Sequence, residues 1–182
     1  AKGLDFESVT LVGIVLADVG LSLPDFRSEE RVFQLLSQVS GRAGRRKKQG
    51  KIILQTFHPE EKIFQFLRNN QFEEFYAWQT EEREKFSLPP FATMAKLTIS
   101  NISKHVAFSE TKKLHEILKK FITQAGDLIS INFAPAFFPR SHNKFHFHIF
   151  LSCASEAILR KFLKESNIPD FVKIDVNPSS LL

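Results

Sequence analysis

The sequence predicts an α/β chain in two blocks, and three observations carry that reading. Residues 9–16 form a nearly unbroken apolar, β-branched run, as expected of a strand buried on both faces of a parallel sheet. An amphipathic stripe follows, then a second apolar run at residues 51–56, so the first block reads strand, helix, strand. Beyond Leu88-Pro89-Pro90 the period changes: residues 96–100 and 145–151 alternate, with a long helical stripe between them.

Taken in order, Ser28 is a suitable N-cap, followed by Glu29 and Glu30 where the helix dipole favours acids. Val32, Leu35, Leu36 and Val39 repeat at i, i+3, i+4 and i+7, so that face is expected to pack on the sheet. Gly41 ends the stripe. His58-Pro59-Glu60-Glu61 opens the next helix, since proline is tolerated in a first turn, and Ile63, Phe64 and Leu67 supply its apolar face. A charged helix over residues 72–85 is stopped by Leu88-Pro89-Pro90.

In the second block a strand at 96–100 precedes a helix over 106–125 built on Leu114, Ile117, Leu118 and Phe121, with Gly126 at its end. A strand over 129–136, a turn at 140–144 and a strand over 145–151 come next. Ser155 caps a helix carrying Ile158, Leu159, Phe162 and Leu163, and residues 172–176 are the last strand. The order β-α-β-β-α-β is a ferredoxin-like split. That fold hosts many activities and names none of them.

With 182 residues, 43% of them hydrophobic, the chain suits one or two small domains with proper cores. The net charge of +5 is compatible with a polyanionic partner. It concentrates at Arg42, Arg45, Arg46, Lys47, Lys48 and Lys51, where phosphate contact is favoured over a merely solvated loop. The 20 phenylalanines can reflect base composition as easily as a stacking surface, so their number names no function. Cys153, the only cysteine, excludes an intramolecular disulfide and a cysteine-rich zinc site. No run is apolar enough to span a bilayer and no signal pattern opens the chain, so a cytoplasmic protein without a membrane partner is expected. The chain begins at Ala1 inside what reads as a motif, and is therefore expected to be a fragment or a broken reading frame.

The most informative stretch is Gln38-Val39-Ser40-Gly41-Arg42-Ala43-Gly44-Arg45. Arginine offers a planar, permanently charged fork that meets phosphate oxygens in pairs, and glycine permits close backbone approach. The string resembles the last ATP-contacting motif of superfamily 2 helicases. Around it stand Ala1-Lys2-Gly3-Leu4-Asp5-Phe6, then Ala17-Asp18, then Leu23-Pro24-Asp25-Phe26-Arg27, and downstream Gly50-Lys51-Ile52-Ile53-Leu54 and Leu88-Pro89-Pro90-Phe91. In this order and spacing the set resembles the C-terminal part of the PriA family, the primosomal protein N′ helicases of bacterial replication restart. The resemblance runs end to end and is more specific in the first half. Asp175-Val176-Asn177-Pro178 stands where the family usually has Asp-Val-Asp-Pro.

The resemblance implies the C-terminal half of a RecA-like helicase lobe over residues 1–57, a helical connector over 58–90 and the C-terminal domain over 91–182. It makes Arg42 and Arg45 the catalytic arginines facing the β- and γ-phosphates, with Arg45 as the arginine finger. Gly3, Asp5, Gln38, Gly41 and Gly44 would form the nucleotide-binding surround, with Gln38 orienting the network; relatives often carry another residue in place of Asp5. Lys2, Arg46, Lys47 and Lys48 would contact DNA, as would Arg140 and Lys144, where relatives carry more arginine. ATP and Mg²⁺ would be bound mainly by an upstream lobe, and the family's zinc lies outside this stretch. The implied partners are branched and single-stranded DNA, single-strand-binding protein and other primosome proteins.

Several rival chemistries fail on spacing. Five residues separate Gly44 from Gly50 where a P-loop requires four, and Ile52 stands where Ser or Thr must meet Mg²⁺. The chain by itself is therefore expected to be inactive toward ATP. His142, His146, His148 and Cys153 tempt a metal reading, but alternation with Phe145, Phe147 and Ile149 is what a one-sided strand looks like. Solvent exposure of that histidine face is expected, and no metal site is assigned. The alternative from a different class is a non-enzymatic nucleic-acid-binding module built on the ferredoxin-like half.

Overall fold

The computed structural model describes residues 10–40, 51–124 and 129–182. It is a mixed α/β structure that divides into two compact units, residues 1–81 and 82–182. Gly126, expected to end a helix, lies outside the described residues.

In the first unit β1 (Leu11–Ile14) pairs in parallel with β2 (Lys51–Leu54), in the register Leu11 to Lys51. Between them come a short 3-10 helix (Ala17–Gly20) and α1 (Ser28–Ser40), and after them α2 (Lys62–Arg68) and the start of α3 (Phe72–Lys85). Both strands form where the apolar runs predict them, but neither is buried on both faces as expected. Val15 is 70% exposed, and Leu11, Ile52 and Ile53 are exposed as well. The reason is architectural. Among the described residues the parallel sheet has two strands, with no further strand or second helical layer to cover it.

The core of this unit lies instead among helices: Val32, Phe33, Leu36, Ile63, Phe64 and Phe75 are buried together, with Ile14 and Leu54 packed against them. The Phe33 and Phe75 rings stack with centroids 3.7 Å apart. Periodicity named Leu35 for this face, yet Leu35 is exposed and Phe33 is buried, because the neighbouring α3 covers the side of α1 that a sheet-only reading leaves to water. Gly20 permits the close seat of the 3-10 helix, since a Cβ there would meet Val32 Cγ2 at 2.3 Å.

Two helix starts also differ from expectation by local chemistry. Ser28 is the first residue of α1 and its hydroxyl donates backward to the Leu23 carbonyl at 2.9 Å. The first intrahelical bond goes from the Arg31 N–H to the Arg27 carbonyl, and Asp25 fastens the turn by accepting from the Arg27 N–H and from the Arg31 guanidinium, each at 3.0 Å. α2 begins at Lys62 with Glu61 as its cap position, so Pro59 belongs to the preceding turn.

In the second unit the elements run β3 (Thr93–Asn101), α4 (Lys104–Gln124), β4 (Ile129–Ser141), β5 (Lys144–Cys153), α5 (Glu156–Glu165) and β6 (Lys173–Val176). All four strands are antiparallel, in the order β4-β5-β3-β6. One sheet face packs on α4 and α5: Leu97, Ile99, Ile149 and Leu151 bury against Leu114, Leu118, Leu159 and Phe162. The turn expected over 140–144 tightens to His142-Asn143, both at positive φ (48° and 59°), the signature of a two-residue hairpin loop.

Candidate functional site

Of the residues expected around nucleotide, Gln38 alone is described: it lies exposed in the last turn of α1. Gly3, Asp5, Gly41, Arg42, Gly44 and Arg45 lie outside the described residues, as do Lys2, Arg46, Lys47 and Lys48 of the expected DNA contacts. The segment that holds the arginines joins the end of α1 at Ser40 to the start of β2 at Lys51. It thus connects a helix carrying the buried Val32 and Leu36 to a strand fixed by pairing with β1.

The sequence reading missed what fastens the far end of β2. Leu16 takes a φ of 55°, a region that a bulky residue rarely adopts, and so turns the chain from β1 into the 3-10 helix. Asp18 then accepts a hydrogen bond from the Thr56 hydroxyl and another from the Phe57 N–H at 2.9 Å. The Thr56 bond, followed by the Phe57 N–H, holds the Asp18 carboxyl below its ordinary value of 3.8. Asp18 and Thr56 are 38 residues apart, which is why no local signal joins them.

The DNA-contact candidates of the second unit, Arg140 and Lys144, are both exposed at the β4–β5 hairpin. Arg140 pairs across the hairpin with Phe145, and its guanidinium carbon stands 5.5 Å from that ring's centroid. Ser141 pairs with Lys144. Two exposed cations thus flank the tight turn between the edge strand β4 and its neighbour β5.

The histidine face departs from the expected solvent exposure. His148 is only 6% exposed and its Nδ1 lies 3.0 Å from Thr98 Oγ1 across the β3–β5 ladder. His146 Nδ1 lies 2.7 Å from Ser100 Oγ, and its Nε2 lies 2.9 Å from Ser141 Oγ. Burial, then the charges of Lys96 and His146, lowers the His148 pKa from 6.5 to about 4, so this imidazole is neutral near pH 7. Lys96 in turn donates to the Ser180 and Leu182 carbonyls at 2.7 and 3.0 Å, drawing the last residues over this face. Alternation showed that the two histidines share a face, but not that β5 would be central and its far face partly covered. A cavity of about 350 Å³ opens there, with Ser100, His146, Phe171, Lys173 and Asp175 among its lining.

Among the described residues no group of three His, Cys, Asp or Glu side chains is placed to hold a metal ion. No described helix is long and apolar enough to cross a membrane.

No family model matches the chain. Among solved structures, a de novo designed protein, Foldit4, covers 47% of the chain at a TM-score of 0.35 and 4% identity, too distant to bear on fold or function. Curated relatives are closer. The chain is 34% identical over 191 residues to replication restart protein PriA of Bacillus subtilis, which spans all of this chain and 24% of that protein. It is 30% identical to the PriA of Borreliella burgdorferi and 31% identical to that of Treponema pallidum, again over the whole chain and 28% of each relative. The chain therefore spans about a quarter of the length of the curated relatives it matches. Similarity that covers the whole chain joins both units to one family, and the chain belongs to the PriA replication restart proteins, as a C-terminal part.

Proposed function

We propose that this chain is the C-terminal part of an ATP-dependent 3′-to-5′ DNA helicase of replication restart. The observation that carries the reading is similarity over the whole chain to replication restart proteins, with the Gln38 to Arg45 string inside it. In this reading the first unit is half of a RecA-like lobe, and the second, with its β-α-β-β-α-β order and β4-β5-β3-β6 sheet, is a ferredoxin-like domain. The exposed apolar faces of β1 and β2 support the first assignment, since parallel strands are normally buried on both sides.

Arg45 acts as the arginine finger and Arg42 as its neighbour on the phosphates, because phosphoryl transfer needs fixed cations more than acid–base groups. ATP and Mg²⁺ are held mainly by an upstream lobe that supplies the P-loop and the metal carboxylates. On this chain Gln38 is exposed and open to that network. Lys2, Arg46, Lys47 and Lys48, with Arg140 and Lys144, contact DNA phosphates. Branched and single-stranded DNA, single-strand-binding protein and other primosome proteins are the partners in the cytoplasm.

In an enzyme reconstituted with the upstream part, Arg45→Ala lowers DNA-stimulated ATP turnover by roughly 10³–10⁵. Arg45→Lys fails nearly as badly, since a point charge does not reproduce the fork. Near-normal turnover in Arg45→Ala would remove the finger and with it the catalytic reading of the motif. A second reading, a nucleic-acid-binding module without catalysis, is favoured by the closed core of the second unit, which needs nothing from the first to bury its sheet. Absence of a P-loop from the coding sequence upstream of Ala1 would select it.

A further inference from the structure

Between Pro135 and Arg140 the β4–β5 ladder loses register: Pro135 pairs with Phe147 and Arg140 with Phe145, so residues 136–139 oppose His146 alone. This wide bulge sits on an edge strand, and it displays two phenylalanines in succession. Phe137 is 44% exposed and Phe138 66%, and their rings meet edge to face at 5.0 Å. The bulge is held in shape. Ala136 is buried, and His146, the residue opposite, is fixed at both ring nitrogens by Ser100 and Ser141. Adjacent aromatic side chains on a constrained, water-exposed bulge are costly unless something covers them.

The surrounding charge says what covers them. Residues 129–153 contain no Asp or Glu, while Arg140, Lys144 and His142 cluster at the tip beside the phenylalanines. No carboxylate pairs with Arg140 or Lys144 among the described residues. Pro135 and Pro139 remove two donors from the strand edge, which disfavours addition of a partner strand. Cations next to exposed rings are the combination that binds single-stranded nucleic acid, with phosphates on the charges and bases on the aromatic faces.

We infer that the bulge is a base-stacking site: Phe137 and Phe138 each receive an unpaired base of a single strand whose backbone runs past Arg140 and Lys144. The proposed DNA contacts at this hairpin supply only the class of partner. Stacking makes the site selective for single strands over duplex, because paired bases do not offer their faces.

The test uses the 182-residue chain with a fluorescent oligothymidylate and a blunt duplex of equal length. Phe137→Ala/Phe138→Ala weakens oligothymidylate binding by at least roughly tenfold, since stacking is worth about 1–3 kcal/mol per base, and leaves the salt slope and the duplex affinity unchanged. Arg140→Ala/Lys144→Ala weakens both ligands and flattens the single-strand salt slope by roughly 0.7 for each phosphate no longer neutralised. Phe138→Trp keeps oligothymidylate affinity and its added fluorescence is quenched on binding. Oligothymidylate affinity within about twofold of wild type in the double Phe variant overturns the stacking site, where stacking predicts tenfold or more, while leaving phosphate contact and the helicase reading intact. Equal weakening toward duplex also overturns it. So does a wild-type dimer that the double Phe variant abolishes in sedimentation, which would make the bulge a contact between copies.

Discussion

The two units bury their apolar surface in different ways. In the first, the sheet is the least covered element: two parallel strands leave Leu11, Ile52 and Ile53 exposed, and the core is an aromatic cluster among α1, α2 and α3. In the second, four antiparallel strands carry an apolar face that two helices cover, with Leu97, Ile99, Ile149 and Leu151 fully buried at its centre and Ile131 and Phe133 partly buried beside them. The difference follows from strand direction. Parallel strands need cover on both faces, whereas an antiparallel sheet is complete with one face dry and the other polar. The second unit thus has the anatomy of an independent domain. The first has the anatomy of a piece whose helices suffice and whose sheet does not.

The sharpest way to break this contrast is at Phe75. Fully buried and stacked on Phe33, it holds α3 to α1, and Phe75→Ala costs about 3–5 kcal/mol, as large aromatic deletions in cores do. Trp78, the only tryptophan, is packed against the same cluster, so its fluorescence reports the first unit selectively. Urea titration of the variant should show early loss of the Trp78 signal, with the β-sheet signal of the second unit surviving to its wild-type midpoint. Loss of both signals in one transition would show that the units do not fold independently.

A smaller effect sharpens the account of the second unit. His148 is neutral in the fold, with its pKa lowered to about 4 by burial and by Lys96 and His146, and Lys173 and Asp175 line the same cavity. Unfolded, the same imidazole takes a proton near its ordinary 6.5. Above 6.5 both states are neutral and its contribution is fully present. As pH falls from 6.5 toward 4 the unfolded state binds the extra proton and stability declines. Urea midpoints of the second unit should fall across that window, and His148→Gln should flatten the fall. An unchanged pH profile in that variant would place the sensitivity elsewhere.

How far the sequence revealed these units depended on the range of the forces involved. The second unit's order of elements was legible because each strand alternates and each helix carries a stripe, and Ser155 stands at its expected cap position. The exposure of β1 and β2 was not, since an apolar β-branched run reports what a strand is built for and not whether cover is present. Phe33 and Leu35 exchanged places because burial on α1 is decided by α3, which lies far along the chain. At the candidate sites, Arg140 and Lys144 were legible as charges, whereas the bulge that displays Phe137 and Phe138 depends on a ladder register that no single strand encodes. In the arginine motif, phosphate contact was legible from charge and glycine spacing, whereas its place facing ATP came from resemblance.

The smallest expected effect concerns the link between β2 and the turn after β1. Asp18 accepts from Thr56 and from the Phe57 N–H, so the carboxylate ties the two residues just beyond Gln55, where the backbone hydrogen bonds to Ile14 and Ala17 end. Asp18→Asn keeps the size of the side chain but replaces one charged acceptor by an amide, and charge-assisted hydrogen bonds are the stronger kind. Amide exchange at Phe57 should accelerate in this variant, with no change in the second unit and a smaller loss of stability than Phe75→Ala produces. The sign with pH is fixed by the lowered pKa. The carboxylate's contribution is fully present above 3.8 and is lost as pH falls through the still lower folded value. Exchange at Phe57 in wild type should therefore stay slow at about pH 5 and approach that of Asp18→Asn only in stronger acid. Equal exchange in the two proteins under those mildly acidic conditions would mean that this end of β2 is held without the carboxylate, by the packing of Leu54 and the backbone hydrogen bonds that join Gln55 to Ile14 and Ala17.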